Sequence, residues 1–337
     1  LGIVLFIVGM QQKFYSILPT IFSMQSAWII LLLLHLFFFL SLAFLQAILQ
    51  AKEKFKIASR IQIVGSFFLL LCYASKYFYH LVPAISPFIW ILLSLCMSIF
   101  IQVVFSWLFL KEEFMPISFL TFSCRKMLPF FQFAGLAYCT NTIQFLSYRM
   151  DIWFLHYYHG TKETGIYALA VSLVQMIWLL PSAMQTVIYS NYSKSADMQL
   201  NYQKTIQLTK QIALYALLVG LMAFPVAYAL VPLFFGLDFK ASVSIIGILL
   251  FGIAPFCLSM GISAFFAAHD RVKYNLHAAF IGFVICIVFN YYFIPPLGMK
   301  GAAYASILSY NVTLLYMCIR FYFLKKESAP QQRNINA

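Results

Sequence analysis

Leu49-Gln50-Ala51-Lys52-Glu53-Lys54-Phe55-Lys56-Ile57-Ala58-Ser59-Arg60 is the stretch that decides the fold. It sets three lysines and a glutamate between two long apolar runs, Ser26–Leu49 and Ile57–Tyr73, with Arg60 following in the first turn of the second. Roughly 20 apolar residues cross a hydrocarbon core as one helix. The segment therefore reads as two transmembrane helices joined by a turn that carries positive charge. Such turns stay in the cytoplasm.

The same reading extends along the whole chain. Complete spans are expected near Ser26–Leu49, Ile57–Tyr73, Phe88–Leu110, Pro129–Leu155, Thr164–Ile188, Lys210–Val231, Ser242–Ala267, Tyr274–Ile294 and Gly301–Phe323, while a tenth run, Leu1–Met10, is half long enough. Of 22 Lys and Arg residues, sixteen fall in one alternating set of loops and the tail, five in the other set, and Arg149 inside a span. The richer set is expected to be cytoplasmic, and with it the C-terminus. The fold class is thus an all-α membrane protein with nine full transmembrane helices and a partial one at the N-terminus. Composition agrees: 63% of residues are hydrophobic and 9% charged, against about a quarter charged in soluble domains. The net charge of +13 reflects this sidedness and contact with anionic lipids, and no nucleic acid is expected as partner, because the basic residues are dispersed over several loops.

Leu1–Met10 lacks the charged segment and small-residue cleavage site of a signal peptide. It reads as a helix cut to half its length, so the natural chain is expected to begin two or more spans earlier.

A shift of 217 residues aligns two hairpins: Ala51-Lys52-Glu53-Lys54-Phe55-Lys56 falls on Ala268-His269-Asp270-Arg271-Val272-Lys273, Ala47 on Ala264 and Gly65 on Gly282. Both copies have one orientation in the membrane, which is a parallel repeat. Transporters are commonly built so, with the substrate path between the halves. The expected domains are an incomplete N-terminal transmembrane lobe (1–128), a six-helix C-terminal lobe (129–323) and a cytoplasmic tail (324–337), together the remnant of a twelve-helix exporter.

No loop offers a paired carboxylate, a Ser/His/Asp set or a metal-like cluster, so neither enzyme activity nor a cofactor is expected. The seven cysteines show no CxxC spacing and read as small apolar fillers. Inside the spans, ionisable groups are costly and mark function by default. Arg149 and Asp151 lie about 6–9 Å below the outer end of their helix at 1.5 Å per residue. Either Arg149 supplies positive charge to a polar groove, with Asp151 orienting it or taking a proton, or Arg149 snorkels to the headgroups. Their i,i+2 spacing points them to different faces. His35 and His277 are candidates for a proton relay or for structural packing. Lys52, Arg60 and Arg271 at the inner rim either attract anionic headgroups or set topology. Pro181, Pro225 and Pro255 interrupt three successive spans and suit a lobe that bends. Gly298 and Gly301 are further conformational candidates.

Tyr148-Arg149-Met150-Asp151, Thr164-Gly165-Ile166-Tyr167-Ala168-Leu169-Ala170 and Pro181 resemble the start of the C-terminal lobe of polysaccharide (O-antigen repeat-unit) flippases of the Wzx type. Asn290-Tyr291-Tyr292-Phe293-Ile294-Pro295-Pro296-Leu297-Gly298-Met299-Lys300-Gly301-Ala302-Ala303-Tyr304-Ala305-Ser306 resembles a second and more specific block of that family. The family belongs to the multidrug/oligosaccharidyl-lipid/polysaccharide exporter superfamily. The resemblance implies two six-helix lobes with alternating access, and a polyprenyl diphosphate carrying an oligosaccharide as substrate. It implies movement of that lipid between leaflets of the bacterial inner membrane, beside a polysaccharide polymerase and a chain-length regulator. It maps the charged cavity onto Arg149 and Asp151. A lipid II flippase, a drug/cation exporter of the same superfamily and a non-functional truncated protein remain the alternatives.

Overall fold

The computed structural model describes residues 26–79, 87–111, 124–194 and 197–333, and every regular element among them is helical. The partial run Leu1–Met10 lies outside the described residues. The helices are α1 Ser26–Ala51, α2 Phe55–Tyr79, α3 Pro87–Leu110, α4 Cys124–Gln175, α5 Leu179–Lys194, α6 Met198–Phe235, α7 Ala241–Ala268, α8 Val272–Leu297 and α9 Met299–Arg333. Short 3-10 turns, Met176–Trp178 and Leu237–Phe239, precede α5 and α7.

Eight stretches among the described residues are long and apolar enough to cross a membrane, one fewer than the expected nine. The difference has a local cause. Leu128–Lys194 is continuous in hydrogen bonding but reverses at Gly160, whose φ of 79° and ψ of −170° suit glycine alone. Asp151 and Tyr167, sixteen residues apart, would be about 24 Å apart in a straight helix. Their side chains instead meet at 2.6 Å. The stretch is two passes.

The sequence also sets the helix ends. Asp197 caps α6, accepting from the backbone N–H of Gln199 and Leu200 at 3.0 and 2.9 Å. With that cap, α6 starts twelve residues before the span expected at Lys210.

The chain divides into two compact units, Leu1–Phe122 with α1–α3 and Ser123–Ala337 with α4–α9. Within the second unit, Asn201 meets His269 at 3.3 Å and Tyr202 stacks on Phe321 at 4.2 Å, which gathers the basic turns at one end. At the other end, His159 reaches the carbonyl of Ile294 at 2.9 Å.

The internal repeat is present in backbone detail. Glu53 and Asp270 both adopt left-handed φ, 58° and 57°. Lys54 N–H donates to the Leu49 carbonyl at 2.8 Å, as Arg271 N–H donates to Phe266 at 2.7 Å. These are helix-terminating turns of one type, with a six-residue hydrogen-bonded loop around a left-handed residue. Ser98 Oγ donates to the Gly65 carbonyl, and Ser309 Oγ to the Gly282 carbonyl, both at 2.8 Å. The core of the first unit (Leu45, Leu49, Ala58, Ile61, Leu110) falls on Ile262, Phe266, Asn275, Ala278 and Phe321 of the second, all buried.

Candidate functional site

The first arm of α4 carries polar and aromatic residues on one face: Thr140, Asn141, Gln144, Phe145 and Tyr148 follow i, i+1, i+4, i+5, i+8. The five side chains range from buried Thr140 to exposed Asn141 and Phe145, and the amides among them need a polar setting, because an amide in hydrocarbon costs several kcal/mol unless it is hydrogen-bonded. They form one wall of a cavity of about 340 Å³. Trp178 and Gln185 close it from the α4–α5 junction and α5, Phe256, Ser259 and Ser263 from α7, Asn275 from α8, and Thr313 from α9.

The lining divides by chemistry. Trp178 and Phe256 pack at 4.5 Å, and Tyr148 lies 5.5 Å from each, so three rings make an aromatic corner. Opposite, Gln185 Nε2 approaches Ser263 Oγ at 3.5 Å, and Asn275 Nδ2 donates to the Ser263 carbonyl at 3.0 Å. Asn275 is buried, and its Oδ1 has no partner. No lining residue is charged.

Asp151 lies beyond the aromatic corner. It is 4% exposed and shares a small void with Tyr148, Trp178 and Tyr310. Its Oδ2 accepts from Tyr167 at 2.6 Å and Ser306 at 3.3 Å, and its Oδ1 from the Ile152 N–H at 2.7 Å. Three segments thus converge on one carboxyl. Arg149, two residues earlier, is exposed, and its guanidinium lies 5.7 Å above the ring of Phe145, which lines the cavity. The two charges form no ion pair with each other, and the structure does not bring them into one groove. Arg149 borders the cavity; Asp151 belongs to the packing behind it.

The other candidates are scattered. His35 is half-buried with Nδ1 enclosed and unpartnered, and His277 is exposed with Nδ1 3.2 Å from the Tyr316 hydroxyl. They lie in different units. Lys52 and Arg60 are exposed on the first unit and Arg271 on the turn before α8. Pro181 sits in the first turn of α5 rather than mid-helix, just after the 3-10 turn. The Ile177 carbonyl four residues before it accepts from the Tyr215 hydroxyl at 3.2 Å. Pro225 and Pro255 are interior to α6 and α7. Gly298 has φ 55° in the turn between α8 and α9, and a Cβ there would lie 2.9 Å from Glu163 Oε2. Gly301 packs directly on the Phe293 backbone. Both glycines answer to close packing.

Missing from the sequence reading were Asn141, Gln144, Gln185, Asn275 and the aromatic corner. A signal existed: neutral amides inside apolar spans, spaced to share one helix face. Attention to charge passed over it.

Helices long and apolar enough to cross a membrane thus wall a polar cavity. By sequence, residues 2–244 match the model of a family described as polysaccharide biosynthesis protein. The chain belongs to that family. No curated protein matches it. By structure it is similar to a point mutant of a MATE transporter, at 17% identity with a TM-score of 0.76, covering 95% of this chain and 75% of that one. It is similar also to a point mutant of the Vibrio cholerae MATE transporter VcmN, at 12% identity with a TM-score of 0.76, covering 97% and 76%. A MOP superfamily transporter from Pyrococcus furiosus, whose reversed pocket polarity suggests a different function, matches at 18% identity with a TM-score of 0.62, covering 80% and 63%. The fold is that of MATE and MOP superfamily exporters, and these relatives are transporters, not enzymes.

Proposed function

We propose that the protein flips undecaprenyl-diphosphate-linked oligosaccharide repeat units from the cytoplasmic to the outer leaflet of the bacterial inner membrane, by alternating access, in O-antigen, capsule or exopolysaccharide synthesis. The observation that carries the reading is the uncharged cavity of amides, hydroxyls and aromatic rings in the second unit. Sugars present hydroxyls that both donate and accept, and ring faces that are largely C–H. Gln144, Asn141, Gln185 and Asn275 suit the first, and Trp178, Tyr148 and Phe256 the second. A diphosphate sugar head cannot cross hydrocarbon, since buried unpaired charge costs tens of kcal/mol by Born solvation. A polar passage for the head suffices, while the polyprenyl tail stays in the bilayer. Arg149 at the cavity border supplies positive charge for the diphosphate. Membership in a polysaccharide biosynthesis family supports the substrate class. A cationic drug would call for a carboxylate in the cavity; none lines it, and Asp151 is committed to Tyr167 and Ser306.

The test is leaflet-resolved. In the host lacking this gene, single lipid-linked repeat units should accumulate out of reach of an outer-face reagent in spheroplasts, and this chain should restore access. Gln144→Leu and Arg149→Ala should each lower that access at unchanged protein level. Normal outer-face exposure in the deletion strain would sink the reading.

A further inference from the structure

A second groove lies between α5 and α6, apart from the cavity described above. It encloses about 530 Å³, and one face of each helix builds it. On α5, Ala183, Met184, Val187, Ile188, Asn191 and Tyr192 follow i, i+1, i+4, i+5, i+8, i+9. On α6, Asn201, Lys204, Leu208 and Gln211 follow i, i+3, i+7, i+10, with Gln207 beside them.

Depth in the membrane sorts this lining by chemistry. Helix α6 has 38 residues, about 57 Å at 1.5 Å per residue, and so outruns a hydrocarbon core of about 30 Å. Its apolar stretch begins at Lys210, and the apolar stretch of α5 ends at Ile188. Both ends fall within the groove, so the edge of the hydrocarbon crosses it. Met184, Val187 and Ile188 lie on the apolar side of that edge. Lys204, six residues before Lys210, lies about 9 Å beyond it, at headgroup depth. Asn191 is on the same side, and Gln207 and Gln211 are within one turn of the edge.

The protein fixes the floor itself. Thr205 Oγ1 donates to the Asn201 carbonyl at 2.8 Å and lies 3.4 Å from the Tyr192 hydroxyl, while the Asn201 amide meets His269. The mouth differs. Lys204, Gln207 and Gln211 are exposed, and among the described residues none of the three has a hydrogen-bond or ion-pair partner. No lining residue is acidic. The carboxylate nearest in sequence, Asp197, is engaged with the first N–H groups of α6. Amides at the edge of hydrocarbon are costly unless something hydrogen-bonds them.

A lysine at headgroup depth, two amides at the edge and an apolar trough below match, in order, a phosphate, ester carbonyls and an acyl chain. We propose that this groove binds an anionic glycerophospholipid of the leaflet beside the basic turns. Lys204 holds the phosphate, Gln207 and Gln211 donate to the ester carbonyls, and one acyl chain lies along Met184, Val187 and Ile188. A polyprenyl diphosphate has no ester carbonyls, so the two amides favour a membrane lipid over the transported one. The site stands independently of the flippase reading.

The full chain tests it, in nanodiscs of equal phosphatidylglycerol and phosphatidylcholine, with a probe of each lipid carrying a photoactivatable group on one acyl chain. Crosslinks from phosphatidylglycerol should concentrate on the α5 segment 183–188 and on Leu208. Lys204→Gln should lower that capture about fivefold, the scale of one lysine at an anionic surface, and leave phosphatidylcholine capture unchanged. Lys204→Arg should retain it, as should Lys210→Gln, whose side chain does not line the groove. Gln207→Leu combined with Gln211→Leu should lower capture of both lipids. Crosslinks spread evenly over the helices, or equal losses in Lys204→Gln and Lys210→Gln, would overturn the site. Displacement of the phosphatidylglycerol probe by undecaprenyl diphosphate at a lower concentration than by unlabelled phosphatidylglycerol would make the groove a substrate site and overturn it equally. Failure of the leaflet assay above would leave this site standing.

Discussion

Asp151 shows how one buried carboxyl can serve packing rather than passage. It joins the first arm of α4 to the returning arm through Tyr167 and to α9 through Ser306. Asp151→Ala strands two buried hydroxyls, and about 1–3 kcal/mol per unsatisfied group is the expected cost. The melting temperature should fall by several degrees. Tyr167→Phe added to Asp151→Ala should cost little more, because the hydroxyl has already lost its acceptor; additive losses would contradict the shared bond. Asp151 stood out in the sequence because acids are rare in spans. Its partners did not, since their contact depends on the reversal at Gly160 and no local pattern announces that geometry. Arg149 was equally conspicuous, yet its i,i+2 offset from Asp151 already separated the two.

At the scale of elements, apolar length and flanking charge located the helices well, because the bilayer imposes both. Helix ends were less legible. The stretch from Met198 to Thr209 extends α6 ahead of the span expected at Lys210, started by the Asp197 cap and anchored by Tyr202 on Phe321. Pro181 was readable as an interruption but not as a hydrogen-bond exchange: the carbonyl it leaves free at Ile177 is taken by Tyr215 of α6. That exchange predicts a paired result. Tyr215→Phe should destabilise the protein by about 1 kcal/mol, one buried hydrogen bond. In Pro181→Ala the restored N–H can serve the same carbonyl, so Tyr215→Phe should then be nearly silent. Equal melting shifts in both backgrounds would refute the exchange.

For the whole molecule, the repeat fixes what is shared between the units and what has diverged. Gly65 and Gly282 each bring a second helix close to a third, but what faces them differs: a Cβ at Gly65 meets the flexible end of Gln102, and one at Gly282 meets Thr313 Oγ1. Thr is stiff at χ1 and Gln is not, so Gly282→Ala should cost about 1–3 kcal/mol of overpacking and Gly65→Ala less. Similar melting shifts would argue against that asymmetry. Six similar residues made the repeat visible in the sequence. Sidedness is the remaining property the repeat implies, since equivalent turns must face the same compartment. In a background with all seven cysteines replaced by alanine, Lys162→Cys and Lys240→Cys should react with an impermeant maleimide added outside intact spheroplasts. Lys52→Cys and Arg271→Cys should react only after the membrane is opened, both alike. Labelling of one but not the other from outside would break the equivalence of the two turns, and with it the parallel orientation on which the charge pattern rests.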